Sequence, residues 1–76
     1  MRELVEVLTK ALVDHPEMVE VREVEGETSV VIEIKVAPDD VGKVVGRQGR
    51  IARALRSVVR ALAAREAKRA SVEILS

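Results

Sequence analysis

The sequence contains no Phe, Tyr or Trp, so any hydrophobic core that it forms must be aliphatic. It offers 15 valines, 6 leucines and 4 isoleucines for that core. This excess of β-branched side chains favours a sheet over an all-helical fold. The 76 residues suffice for one small domain, residues 1–76, and exclude a second. Cysteine is also absent, which excludes disulfides and thiolate metal sites.

The chain shows no signal for a membrane or for export. No apolar run approaches the ~18 residues that a membrane-spanning helix needs. Residues 1–15 are amphipathic and carry acidic side chains, so they lack the basic start and apolar centre of a secretory signal. We therefore expect a cytoplasmic protein with no membrane partner.

Charge is divided along the chain although the net charge is zero. Residues 1–41 hold 4 basic and 11 acidic side chains, whereas residues 42–69 hold 9 basic and 1 acidic. The second region therefore attracts polyanions even though the whole chain is neutral.

Hydrophobic periodicity predicts helices and strands in the order α-β-β-α-α-β. The predicted elements span about residues 2–13, 18–24, 30–36, 38–45, 50–67 and 71–75. The helical connection between the second and third strands is long enough for a right-handed parallel crossover, whereas the first two strands form a hairpin. The predicted fold class is α+β, a three-stranded mixed sheet covered on one face by three helices.

Each helix has a predicted apolar face. In the first helix it consists of Leu4, Val5, Leu8, Ala11 and Leu12. In the last helix it consists of Ile51, Leu55, Val58, Val59 and Leu62, with Arg53, Arg56 and Arg60 on the opposite side. The middle helix starts at Pro38-Asp39-Asp40, where we expect the aspartates to cap free backbone N–H groups.

Two glycines, Gly46 and Gly49, bracket Arg47-Gln48 between the second and third helices. Glycine at both positions permits a sharp turn and the close approach of a ligand. The next helix begins with unpaired N–H groups beside two arginines, which is a favourable site for phosphate. The alternative is a helix–helix turn that needs glycine only for its angle. Neither the P-loop pattern nor the dinucleotide-binding glycine pattern is present.

The segment Val45-Gly46-Arg47-Gln48-Gly49-Arg50-Ile51 resembles the Gly-x-x-Gly core of KH domains, in their prokaryotic, type II arrangement. The stretches "ALVDHPEMVEVREVEG" and "VAPDDVGKVVGRQGRIARALRSVV" and the end "VEIL" are similar to the KhpA family of small bacterial proteins with a single KH domain. The resemblance covers essentially the whole chain.

The resemblance implies binding of single-stranded RNA, whose backbone the Gly-x-x-Gly loop clamps over ~4 nucleotides. By the same resemblance, the residues expected at the RNA site are Lys43, Val44, Val45, Gly46, Arg47, Gln48, Gly49, Arg50, Ile51 and Arg53. Val72 or Ile74 on the last strand is expected to form the other side of the groove. The implied role is that of an RNA chaperone or post-transcriptional regulator, without a cofactor or a small-molecule substrate.

The alternatives are an enzyme, a protein-interaction module and a ribosome-assembly factor. An enzyme is disfavoured because His15, the single histidine, has no second histidine or cysteine as a partner. A protein-interaction module is the stronger alternative, since the charge division favours association and the resemblance implies a homodimer or a pair with a Jag-type KH protein, KhpB. A ribosome-assembly factor that binds immature ribosomal RNA would use the same chemistry on another RNA.

Overall fold

The aliphatic strands pair into one three-stranded sheet in the order β1-β2-β3. The computed structural model of the protein describes the backbone of residues 1–76 and every side chain except that of Arg47. The helices are α1 (Arg2–Leu12), α2 (Pro38–Val45) and α3 (Arg50–Ala64), and the strands are β1 (Glu20–Glu25), β2 (Ser29–Lys35) and β3 (Arg69–Leu75). The predicted α-β-β-α-α-β order and mixed sheet are confirmed, as a type II KH domain requires. Within the described residues, no helix is long and apolar enough to cross a membrane.

The two strand pairings follow from the two kinds of connection. β1 and β2 form an antiparallel hairpin in which Val21 lies opposite Ile34. β2 and β3 are parallel, with Ile32 opposite Val72, because α2 and α3 occupy the crossover between them. The predicted parallel pairing is thereby confirmed.

The core lies between one face of the sheet and the helices. The central strand and its end supply four side chains that are at most 2% exposed, namely Val30, Ile32, Ile34 and Val36. Leu55 and Val59 of α3 pack against them, each at most 1% exposed. The other face of the sheet carries cross-strand ion pairs, including Arg22 with Glu33 at 3.6 Å and Lys35 with Glu20 at 3.9 Å.

The first helix buries only part of the predicted face, since Val5 is fully buried and Leu8 is partly buried against the core. Val5 and Thr9 are fully buried, and the Thr9 hydroxyl donates a 2.7 Å hydrogen bond to the carbonyl oxygen of Val5, which satisfies it. Leu4 and Leu12, predicted on the core face, are 45% and 39% exposed. Apolar side chains surround much of this helix, so periodicity admitted more than one orientation.

The third helix ends earlier than predicted. It stops at Ala64 instead of Ala67. The N–H of Lys68 donates to the Ala63 carbonyl and the N–H of Ala67 donates to the Ala64 carbonyl, both at 3.0 Å. This is the Schellman pattern, in which Ala67 takes the left-handed conformation, φ 57°, that glycine usually supplies.

The predicted capping role of Asp40 is wrong. The N-cap of α2 is Ala37, and among the described side chains none caps this end of the helix. Asp40 is instead fully buried, and its two carboxylate oxygens accept hydrogen bonds from the N–H groups of Asp14 and His15, at 3.1 and 3.0 Å. The carboxylate therefore anchors the loop after α1 to α2.

Candidate nucleic-acid interface

The turn between α2 and α3 is built by four residues, Gly46 to Gly49. The N–H of Gly46 donates to the Gly42 carbonyl at 2.7 Å and ends α2. The N–H of Gly49 then donates to the Gly46 carbonyl at 2.8 Å. Gln48 and Gly49 both lie in the left-handed region, with φ of 68° and 64°. Two successive left-handed residues redirect the chain sharply into α3.

The two glycines are needed for different reasons. A Cβ added to Gly46 would lie 2.2 Å from the carbonyl oxygen of Gly42, so the helix end would have to move. A Cβ on Gly49 would meet nothing within 4 Å, but the φ of +64° disfavours any side chain. Gln48 adopts this conformation without being glycine, at a cost of about 1–2 kcal/mol. Backbone strain of this kind is often found at functional sites.

The turn exposes the positive end of α3. The first N–H groups of a helix have no partner inside it, and Gly49, the N-cap residue of α3, has no side chain that could bond to them. Arg50 and Arg53 are exposed in the first turn of the helix. Positive side chains at a helix N-terminus oppose the helix dipole, so they do not stabilise α3 by themselves. Their placement favours the binding of an anion.

A groove lies beside this turn, between α2 and α3. Its volume is ≈ 600 Å³, within the range of small-ligand sites. Two cationic side chains, Lys43 and Arg50, line it together with Ile51, Gly42 and Gly46. The groove thus combines positive charge, an apolar wall and glycines that leave room for close approach.

The predicted site residues do not all reach this groove. Lys43, Gly46, Arg50 and Ile51 line it, while Val45, Gln48 and Arg53 are exposed nearby in the sequence. Val44 does not reach the groove. Val44, expected in the groove wall, is instead fully buried in the core, because residues 40 and 44 share the inner face of α2.

Two further predictions concern the last strand and Arg47. Val72 and Ile74, expected on the far side of the groove, are half-buried and pack against the core. The predicted role of the Arg47 side chain lies outside the described residues.

Sequence reasoning missed two residues at the groove. Gly42 lines it, one helical turn before Gly46, the residue that ends α2. Asp14 does not line the groove, but its Oδ1 accepts a 2.9 Å hydrogen bond from Nζ of Lys43, which does. The hydrogen bond and charge of Lys43 hold the pKa of the Asp14 carboxyl below its usual value. Nothing local in the sequence signals this contact, because the two residues are 29 positions apart.

The acidic residues do not form a metal centre. Across the part of the chain whose side chains are described, no group of three or more His, Cys, Asp or Glu side chains could hold a metal ion.

Known proteins are similar to this chain over nearly its whole length. The family model described as "KhpA/KhpB, KH domain" matches residues 2–74. Proteins named RNA-binding protein KhpA from Caldanaerobacter subterraneus subsp. tengcongensis and Clostridium perfringens are each 57% identical over 75 residues, which cover 99% of this chain and 100% of each relative. A protein of that name from Aquifex aeolicus is 49% identical over 99% of this chain and 95% of its own length. No solved structure matches the chain.

The family match covers nearly the whole chain, and the relatives match it from end to end at high identity. The resemblance first drawn from the Gly-x-x-Gly segment is thereby confirmed. The chain belongs to the KhpA/KhpB family of KH-domain proteins.

Proposed function

We propose that this protein binds single-stranded RNA and holds its backbone at the turn from Gly46 to Gly49. The observation that carries the proposal is the joining of this turn, the uncapped N-terminus of α3 and the cationic groove in one place. The relatives named RNA-binding protein KhpA support it independently.

The glycines and the basic residues of the site have different roles in holding the RNA backbone. Gly46 and Gly49 let the RNA backbone approach the turn closely, and the backbone N–H groups that follow donate to phosphate. Lys43, Arg50 and Arg53 supply positive charge to phosphates, as does Arg47 by its position in the motif.

The bases pack against a small apolar surface. Ile51 supplies this surface inside the groove and Val45, which is 48% exposed, supplies it beside the turn. Val44 acts only by supporting the turn from the core.

The absence of aromatic residues limits how the bases are recognised. RNA-binding sheets and OB folds stack bases on aromatic rings, whereas this chain relies on phosphate contacts and aliphatic packing. We expect modest affinity and broad sequence tolerance. If about four phosphates are neutralised, the logarithm of affinity should fall with the logarithm of salt concentration at a slope of about −3.

The proposed role is that of a non-catalytic RNA chaperone or post-transcriptional regulator in the cytoplasm, where bacterial RNA is found. Turnover of RNA by the purified protein, with metal or nucleotide, would contradict the non-catalytic part. A ribosome-assembly role differs only in the RNA bound. Sequencing of RNAs crosslinked to the protein in cells distinguishes ribosomal from messenger and small RNAs.

The decisive test places the same charge change at the two ends of α3. Arg47→Asp/Gln48→Asp and Ala64→Asp/Arg65→Asp each alter the charge by −3, and the two sites lie about 20 Å apart along the helix. Fluorescence anisotropy with a randomised single-stranded RNA should show loss of binding for the turn variant alone, once circular dichroism confirms that both variants fold. Equal loss in both variants would mean that diffuse charge holds the RNA.

A second candidate function, association with another protein chain, is favoured by the outer face of α1. Leu4 and Val7 are 45% and 65% exposed there, and Ala11 continues the same stripe. Apolar side chains in a stripe fit an interface with a second copy or with a Jag/KhpB-type KH protein.

Sedimentation velocity over a range of concentrations tests the homodimer. We expect the wild type to self-associate and Val7→Glu to shift the equilibrium toward monomer. A wild type that stays monomeric throughout the micromolar range would contradict the homodimer.

A further inference from the structure

One of the two cations that line the groove is already paired. Lys43 Nζ donates to Asp14 Oδ1 at 2.9 Å, with 46% of the lysine and 68% of the aspartate side chain exposed. The second groove cation, Arg50, has no carboxylate partner among the described side chains. A phosphate that enters the groove therefore meets a free guanidinium on α3 and an engaged ammonium on α2.

The backbone of Asp14 is held in place by hydrogen bonds to Asp40 and not by the ion pair with Lys43. Its backbone N–H donates to Asp40 Oδ1 at 3.1 Å, and the N–H of His15 donates to Asp40 Oδ2 at 3.0 Å. Because Asp40 is fully buried in α2, the loop after α1 is held against the helix that carries Lys43. The backbone of Asp14 thus stays beside the groove whether or not Lys43 turns away, and its carboxylate remains within reach of the lysine.

We propose that Asp14 competes with RNA phosphate for Lys43 and thereby holds the affinity for RNA below what the groove cations could provide. The inference rests on the proposed function and names a residue that restrains it. A phosphate near Lys43 must displace the carboxylate from the ammonium, and it is also repelled by the negative charge that remains nearby. Without that charge, Lys43 contributes one more full phosphate contact.

The substitution that tests this is Asp14→Asn, which removes the charge and preserves the size of the side chain. It also retains the backbone N–H that bonds to Asp40, so we expect the variant to fold. Anisotropy titrations with a randomised single-stranded RNA should show about three- to tenfold tighter binding for Asp14→Asn at low salt. The dependence of log affinity on log salt should steepen by about 0.7, the single-strand value for one additional phosphate contact.

Lys43→Gln separates this mechanism from a structural effect of Asp14. In the wild-type background, Lys43→Gln should weaken RNA binding by only about two- to threefold, because the engaged lysine contributes only part of its charge to phosphate. In the Asp14→Asn background it should abolish the gain and restore the original salt slope. This dependence of one substitution on the other is the signature of competition for Lys43.

Glu20→Gln is the matched control. It also removes one negative charge and frees a lysine, Lys35, whose Nζ lies 3.9 Å from Glu20 Oε2 on the helix-free face of the sheet. We expect it to alter RNA affinity by less than about twofold.

The outcomes separate this inference from the proposed function. If the wild type binds RNA but Asp14→Asn binds no more tightly, or Glu20→Gln tightens binding equally, the competition does not exist. If the wild type binds no RNA, the proposed function fails and the inference fails with it.

Discussion

The two ends of α3 share an unusual backbone feature and use it differently. Each is flanked by a residue other than glycine in the left-handed conformation, Gln48 before the helix and Ala67 after it, with φ of 68° and 57°. At the C-terminal end, the turn satisfies the carbonyls of Ala63 and Ala64. The Lys68 ammonium that follows is bonded to the Glu25 carboxylate. The turn at this end is closed by its own hydrogen bonds.

At the N-terminal end, the same conformation leads to an open site. The N-cap residue Gly49 has no side chain that could bond to the first N–H groups of α3, Arg50 lines a groove, and the helix dipole offers positive charge. A left-handed residue alone therefore does not distinguish the two ends. Unsatisfied donors and unpaired cations beside the strained turn distinguish the end that we propose binds RNA.

Substitution of the glycines at the N-terminal end of α3 should change the free energy of unfolding the most. Gly46→Ala should destabilise the fold by about 2–4 kcal/mol, because its Cβ would overlap the Gly42 carbonyl. Gly49→Ala should cost about 1–2 kcal/mol through its positive φ alone. Urea unfolding at fixed protein concentration measures both.

Gly42→Ala is the control for these glycines, since a Cβ there meets nothing within 4 Å. In the interior of α2, alanine should stabilise the fold by about 0.5–1 kcal/mol. Equal costs at positions 42, 46 and 49 would contradict the distinct roles assigned to them.

A smaller effect is expected when glycine replaces either of the two left-handed residues, Gln48 and Ala67. Ala67→Gly and Gln48→Gly should each stabilise the fold by about 0.5–1 kcal/mol, because glycine relieves the strained φ but adds freedom to the unfolded chain. Only Gln48→Gly should weaken RNA binding, by about two- to tenfold, the effect of losing one hydrogen bond. Anisotropy and urea unfolding on the same preparations give both quantities. If Ala67→Gly weakens binding as much, the two ends do not differ in function.

The smallest effect concerns the ion pair between Lys68 and Glu25 at the C-terminal end of α3. The hydrogen bond and charge of Lys68 hold the pKa of Glu25 below its ordinary value. A carboxyl whose pKa is lowered by folding contributes stability above its ordinary pKa of 4.5, and this contribution is lost as the pH falls through the folded-state pKa. Glu25→Gln should therefore melt slightly below the wild type at neutral pH, and the difference should vanish in acid.

Melting curves of both proteins from neutral pH into acid measure this difference. A difference that stays constant with pH would mean that the ionised pair does not cause it. Lysine neighbours also lower the pKa values of Asp14 and Glu6, so only the comparison between variant and wild type isolates Glu25.

Much of the fold was predictable because its signals are local. The alternation from Val30 to Val36 identified the second strand, and the helical segment after it was long enough for a parallel crossover. The Gly-x-x-Gly turn was also local, since both glycines and the basic residues after them are close in sequence. These features gave the element order, the sheet topology and most of the groove.

The features that were missed depend on packing or on tertiary contacts. Val44 and Val45 are equally apolar, and only packing decides that the first is buried and the second exposed. Ala67 gives no sequence signal for a helix end, because a left-handed cap is normally marked by glycine. Asp40 and Asp14 acquire their roles through contacts with residues 25 to 29 positions away.

A backbone amide NMR titration of the ¹⁵N-labelled protein with a short single-stranded RNA locates the RNA on the molecule. We expect saturable shifts in the amides from Gly46 to Arg53 and little change from Ala64 to Arg69. Shifts of similar size at both ends of α3, or shifts confined to its C-terminal end, would contradict the assignment of RNA binding to the Gly-x-x-Gly turn.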